Sequence, residues 1–250
     1  MKRTSKAFTV TLMAIYTVIL IFFFVVGYFV VDGLQIESRL DNEFAEIEYL
    51  INRDGITNTN IDIRLNNYVS EGEYLYVEMA IKDYFKDLLT ECRKLNAIYE
   101  DLPLTTVLYL YNFDEDAPEF SYSKRVLSEK SNELEEIGNN LTYYFDENTI
   151  MSYAEKYNLS WYYVDYYKSM MIDDTILNEN KEDIEQNIDY LLAMLDTYTD
   201  FFTFLSDNAE YWTMDEDYIY FDTDELLEEY NHYLDIINNM DFSSDFESFA

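Results

Sequence analysis

A long apolar run near the N-terminus constrains the fold more than any other feature of the chain. Ala7 to Val31 reads AFTVTLMAIYTVILIFFFVVGYFVV, which is 25 residues without a charge. At a helical rise of about 1.5 Å per residue, such a segment spans a hydrocarbon core of roughly 30 Å with some tilt. The sequence therefore predicts one transmembrane helix over residues 7–31.

The flanks of this run predict how the helix is used. The apolar region of a cleaved signal peptide is shorter, about 7–15 residues, and ends in small residues, whereas this run ends in FVVDGLQIE. We therefore expect an uncleaved anchor. Basic residues precede it and mainly acidic residues follow it: Lys2, Arg3 and Lys6, then Asp32, Glu37 and a single Arg39. The positive-inside rule then predicts a cytoplasmic tail of residues 1–6 and an extracytoplasmic domain of residues 32–250. Frequent Asn, Ile, Tyr and Phe with scarce Ala, Gly, Pro and Arg suggest a bacterial source.

The charge of the chain restricts its partners. There are 51 acidic and 16 basic residues, a net charge of −35, and the part after the anchor carries −38. Such a surface repels nucleic-acid phosphates and anionic lipid headgroups. We therefore expect that the chain does not bind nucleic acid. We expect it to bind a basic protein partner or, loosely, divalent cations.

The exterior part is predicted to be an all-α, antiparallel helical bundle. Only 5 Gly and 2 Pro force turns, and the aromatic content of 18 % supplies apolar surface for a core. Apolar residues recur at spacings of three and four residues along several segments, which is typical of amphipathic helices. The clearest stripe is Ile184, Ile188, Leu191, Leu195, Tyr198, Phe202 and Leu205.

Other segments show the same spacing. One follows a Ser70–Glu73 capping box along Val77, Ile81, Tyr84, Leu88, Cys92, Leu95 and Tyr99. Another contains Leu127, Leu134, Ile137, Leu141 and Phe145, and a third contains Ile36, Leu40, Phe44, Ile47 and Ile51 before Gly55. Shorter helices are predicted at 147–157 and 161–171, capped by Asp146 and Ser160.

Two segments look extended. Thr105–Tyr111 (TTVLYLY) is β-branched and aromatic, and Tyr218–Phe221 (YIYF) alternates between acidic turns. Since an isolated strand lacks partners for its backbone groups, the two are predicted to pair in one short two-stranded element.

The segment from Thr213 to Ile237 concentrates carboxylates and holds the only histidine, His232. An EF-hand requires oxygen ligands at positions 1, 3 and 5 and Gly at 6. Counting from Asp215 or from Asp222 places Ile219 or Leu226 at position 5, so this class is excluded. We expect no structural zinc site, because one histidine and one cysteine are too few ligands.

No catalytic residues, cofactor-binding residues or metal ligands are predicted. There is no G-x-S-x-G motif, and the scattered glycines cannot form a phosphate-binding loop. The acidic segment is better explained as the start of an amphipathic helix, with Thr223 as N-cap and Asp224 and Glu225 in the first turn. Leu226, Tyr230, Tyr233, Ile237 and Met240 then face a core, leaving His232 on the surface and, on its own helix, Cys92 buried.

Aromatic residues crowd one further segment, SWYYVDYYKSMM at Ser160–Met171. They would lie all around a helix, so the segment is either covered by neighbouring helices or presents an aromatic surface to a protein or a glycan. In general shape the layout resembles the helical exterior domains of bacterial membrane sensors, which return through the membrane. This chain has no second apolar run long enough to do so, which removes the ground for calling it a receptor.

These observations favour a membrane-anchored binding or accessory subunit of an envelope complex, without catalysis. Two alternatives stay open. One is an envelope hydrolase that acts on a wall glycan through a pair of carboxylates, such as Glu228 with Glu225 or Asp224. The other is a low-affinity binder of divalent cations through clustered acids.

Overall fold

The computed structural model describes residues 35–101, 113, 115–172, 174–215 and 218–239. The predicted tail of residues 1–6 and the predicted anchor of residues 7–31 lie outside these residues. Among the helices within the described ranges, none combines the length and apolarity required to cross a membrane.

The described residues are mostly helical, with one small two-stranded sheet, as the sequence predicts. The α-helices, numbered α1 to α8, span Gln35–Asp54, Thr59–Asn66, Glu73–Asp101, Ser121–Tyr144, Glu147–Lys156, Trp161–Met171, Asp174–Asp207 and Asp224–Asn239. A short 3₁₀ turn at Ala209–Tyr211 leads into strand β1, Trp212–Asp215, and strand β2 is Tyr218–Phe221.

The chain divides into two compact units. One, here the α1 unit, takes its described residues from Ala14–Ala97 and Ile137–Gln186. The other, the hairpin unit, takes them from Ile98–Glu136 and Asn187–Ala250. Each unit has its own buried apolar residues.

The core of the α1 unit follows the predicted stripes. Its buried side chains include Leu40, Phe44, Ile47, Ile51, Val77, Ile81, Tyr84, Leu88, Cys92 and Leu95. Phe44 packs on Phe85 with ring centroids 5.9 Å apart, and the Tyr84 hydroxyl donates to the carbonyl of Tyr144 at 2.9 Å. The predicted positions Ile36 and Tyr99 lie within helices, but their side chains are outside the described set.

Local signals fix several helix ends in the α1 unit. α1 stops at Gly55, which adopts a φ of +79° and donates its N–H to the carbonyl of Ile51 at 2.9 Å. Asp146 caps α5 as predicted, since its Oδ1 accepts from the backbone N–H groups of Asn148 and Thr149.

Two predicted caps differ from the structure. Ser160 lies at the N-cap of α6 but makes no side-chain capping bond. The Ser70–Glu73 capping box is wrong: the Ser70 hydroxyl has no hydrogen-bond partner, and its backbone N–H donates to Glu78 at 2.8 Å. A buried carboxylate on α3 therefore replaces the predicted cap.

The hairpin unit is built around aromatic rings. Phe120 lies 5.1 Å from Phe113, 5.1 Å from Phe202 and 6.1 Å from Trp212, measured between ring centroids. The Trp212 indole N–H donates to the carbonyl of Leu205 at 2.8 Å. α7 supplies one wall of this core, since the stripe positions Ile188, Leu191, Leu195, Tyr198, Phe202 and Leu205 are all buried.

The predicted strand at Tyr218–Phe221 is present, but its partner differs from the prediction. β2 pairs antiparallel with β1, which the sequence analysis missed, with Trp212 opposite Phe221 and Asp215 opposite Tyr218. Thr105–Tyr111 lies outside the described residues, so the predicted pairing with it is not seen. β1 and β2 are close neighbours in the chain and pair as a hairpin, so β2 needs no strand from a distant segment.

Candidate interaction surface

α6 presents aromatic side chains to solvent on one side and to the core on the other. Trp161 is 78 % exposed and Tyr162 is 48 % exposed, whereas Tyr167 is completely buried. The Tyr167 hydroxyl donates to the carbonyl of Ile150 at 2.9 Å, so its polar tip is satisfied inside. Both interpretations of this segment are therefore partly met: one face is core, and the first turn is an exposed aromatic surface.

Tyr74 of α3 ties this surface to the rest of the α1 unit. Its ring lies 5.0 Å from Tyr163 and 5.5 Å from Tyr166, both in edge-to-face geometry. Tyr162 then packs edge-on against Tyr163 at 5.2 Å and against Trp161 at 6.1 Å. We call these five residues the aromatic cluster.

The aromatic cluster suits the recognition of another macromolecule. Edge-to-face pairs contribute about 0.5–1.5 kcal/mol each beyond area burial, so the exposed rings are held by the half-buried ones. Anchored aromatic side chains with polar tips dominate the binding energy of many protein interfaces. Glu73 and Asp165 are exposed beside them in the chain, which adds negative charge at the same helix turns.

The acidic segment behaves as the start of a helix. Asp224 and Glu225 lie in the first turn of α8, and the N–H of Leu226 approaches the Thr223 hydroxyl at 3.4 Å, a long contact. Tyr230 and Tyr233 are half-buried against Phe201, and His232 is exposed. Met240 lies outside the described residues.

The acids of this segment do not converge on a metal in the described ranges. No group of three or more His, Cys, Asp or Glu side chains among these residues is arranged to hold a metal ion. Asp224, Glu225 and Glu228 are all exposed on α8. Glycoside hydrolases place their two carboxyl groups in unlike environments. These three side chains share an exposed environment, which does not favour that chemistry.

Cys92 lies in the core of the α1 unit, as predicted. It is completely buried, and burial raises the pKa of its thiol well above the ordinary value. A thiol that stays protonated is a poor nucleophile and a poor metal ligand. Its role is to fill space in the core.

A buried ionic network joins α1, α2 and α3 within the α1 unit, and sequence reasoning missed it. The Lys82 ammonium contacts Glu78 at 2.8 Å and Glu43 at 3.1 Å, and it has no exposed surface. Arg64 contacts the other oxygen of Glu43 at 2.8 Å. The only sequence signal is the Glu78–Lys82 spacing of four residues, which ordinary surface ion pairs share.

Backbone groups complete the network. Lys82 also donates to the carbonyls of Arg64 at 3.0 Å and Asn67 at 2.6 Å. Glu78 accepts from the backbone N–H groups of Val69 at 3.0 Å and Ser70 at 2.8 Å. Both buried charges are paired and hydrogen-bonded, and removing one partner from such a pair is strongly destabilising. We therefore interpret the network as structural: it holds the connection between α2 and α3 in place.

A row of polar contacts links α3 to α5. Asp83 accepts from Lys156 at 2.7 Å and from the hydroxyl of Tyr157, and Asp87 accepts from the hydroxyl of Tyr153 at 2.6 Å. Burial alone would raise the pKa of Asp83, but the hydrogen bonds from Lys156 and Tyr157 outweigh it, and the net pKa is lower than usual. Every member is partnered, so the row holds the two helices together.

Comparison of the chain with protein-family models, with curated proteins and with solved structures finds no match.

Proposed function

We propose that this chain is a single-pass membrane protein whose extracytoplasmic domain binds another protein as an accessory subunit of an envelope complex. In this proposal residues 7–31 form the anchor, residues 1–6 remain in the cytoplasm, and residues 32–250 form an antiparallel helical bundle outside. The uncharged run and the basic residues that precede it support the anchor and its orientation.

The aromatic cluster is the observation that carries the binding role. A tryptophan that is 78 % exposed costs solvation free energy unless a partner covers it. In this chain it stands at the first turn of a helix whose other side is fixed by Tyr167 in the core and by Tyr74 at the flank. Such a fixed ring binds a partner without a large loss of side-chain entropy.

The test is recovery of a stoichiometric partner from detergent-solubilised membranes with the full-length chain as bait. Wild-type protein is expected to retain the partner, and Trp161→Ala with Tyr162→Ala is expected to lose it. Tyr143→Ala is the matched control, because Tyr143 is also an exposed aromatic residue of the α1 unit and lies outside the aromatic cluster. Repeated recovery of the bait alone, or equal recovery by all variants, contradicts the proposal.

A further inference from the structure

The β-hairpin of the hairpin unit has one covered face and one open face. Trp212, Met214, Ile219 and Phe221 point to the core side, and Trp212 is buried. Phe221 packs on Tyr230 at 5.2 Å and on Phe204 at 6.1 Å between ring centroids. The hairpin therefore packs on the unit through its inner face, and its outer face is turned to solvent.

The outer face carries two exposed tyrosines. Tyr218 is 66 % exposed and Tyr220 is 55 % exposed, and their ring centroids are 6.5 Å apart. Opposite them in the register lie Asp215 and Thr213, both exposed. Here we call Thr213, Asp215, Tyr218 and Tyr220 the tyrosine face.

The chain segment that carries the tyrosine face has charges of one sign. From Glu182 to the C-terminus at Ala250 the chain contains 20 acidic residues and no Lys or Arg. Asp222, which directly follows β2, is exposed, and its backbone N–H donates to the carbonyl of Tyr211 at 2.9 Å. No basic side chain of this segment competes for the rings or neutralises these acids.

We propose that the tyrosine face is a docking surface for an extended, basic protein segment with Lys or Arg at alternate positions. Cations bind over tyrosine rings and are attracted by nearby carboxylates. Alternate residues of an extended chain lie about 7 Å apart on one side, which matches the 6.5 Å between the two rings. This inference rests on the proposed function: it adds a second contact surface to the aromatic cluster and names the chemistry of the partner segment that this surface would hold.

The inference is tested by fluorescence anisotropy with full-length protein in detergent micelles. The probes are a labelled peptide of alternating Lys and Thr and a peptide of the same composition with its lysines in one block. The alternating peptide is expected to bind more tightly, and its affinity is expected to fall as salt screens the attraction. Equal affinity for the two peptides overturns the spacing argument.

Two pairs of variants locate the binding. Tyr218→Ala with Tyr220→Ala is expected to weaken the alternating peptide about two- to fivefold for each ring removed, whereas Tyr122→Ala with Tyr143→Ala leaves the affinity unchanged. Asp215→Asn with Asp222→Asn is expected to weaken binding more than Glu135→Gln with Glu136→Gln, which removes the same charge from an exposed part of α4. Equal effects of the two charge variants, or no effect of the tyrosine variants, overturn the inference.

Recovery of the native partner separates this inference from the proposed function. A partner retained equally by wild-type protein and by the Tyr218→Ala, Tyr220→Ala variant leaves the proposed function standing and overturns the tyrosine face as its docking surface. Recovery of the bait alone contradicts the proposed function, and the peptide titrations still decide whether the tyrosine face binds basic segments.

Discussion

Replacing Lys82 by Met tests the buried ionic network. The substitution keeps an unbranched apolar stem and removes the ammonium group that contacts Glu43, Glu78 and two backbone carbonyls. Arg64 still neutralises Glu43 at 2.8 Å, but Glu78, which has no exposed surface, is left without a cation. Removing one partner of such a buried pair costs about 3–5 kcal/mol of unfolding free energy.

Urea denaturation of the full-length chain, followed by far-ultraviolet circular dichroism, measures this loss. Lys168→Met is the control, because Lys168 and Glu147 pair at 2.6 Å with both side chains about half exposed, and an exposed pair contributes at most about 1 kcal/mol. Glu78→Gln combined with Lys82→Met is expected to lose less than the sum of the single variants, since the unpaired charge is gone. A loss for Lys82→Met no larger than that for Lys168→Met refutes the structural role of the network.

Three further outcomes follow from local geometry. Gly55→Ala is expected to cost roughly 1 kcal/mol of unfolding free energy, because a φ of +79° is strained for alanine. The added Cβ meets no neighbouring atom, so the expected cost comes from the backbone. A neutral result in denaturation contradicts this prediction. Asp83→Asn is expected to cost about 1 kcal/mol of unfolding free energy at neutral pH. Because the pKa of Asp83 is lowered in the folded protein, this loss of stability relative to wild type is complete above the usual aspartate pKa of about 3.9 and disappears as the pH falls through the lower folded pKa. A series of thermal melts at different pH values measures it. Cys92 is expected to react with a thiol reagent only after denaturant is added, and rapid labelling of the native protein contradicts its burial.

The spacing of apolar residues predicted the helices, because a helix that buries one face needs apolar residues at that spacing and is held in the fold by the same buried face. Seven stripe positions of α7, from Ile184 to Leu205, are buried as predicted. The helix nevertheless begins at Asp174, ten residues before the first stripe position, Ile184. Local capping preferences contribute about 1 kcal/mol and are overridden by packing, which also explains why Ser70 does not cap α3.

Contacts between distant segments left little trace in the sequence. Lys82 next to the apolar Ile81 looks like an ordinary charged residue at the edge of a helix, and its burial depends on Glu43, which is 39 residues away. β1 was missed because WTMD has only a short alternation, and its pairing with β2 decides its structure. The aromatic cluster was visible as composition in α6, but the contribution of Tyr74 depends on how α3 packs.

The central claim is that an uncleaved anchor holds the acidic helical domain outside the cell membrane. Protease added to intact cells, followed by identification of the surviving fragment and its N-terminus, tests it most directly. We expect residues 32–250 to be digested in intact cells and the mature chain to begin before Ala7. A domain that resists protease until the cells are lysed, or a mature chain that begins after Val31, contradicts the claim.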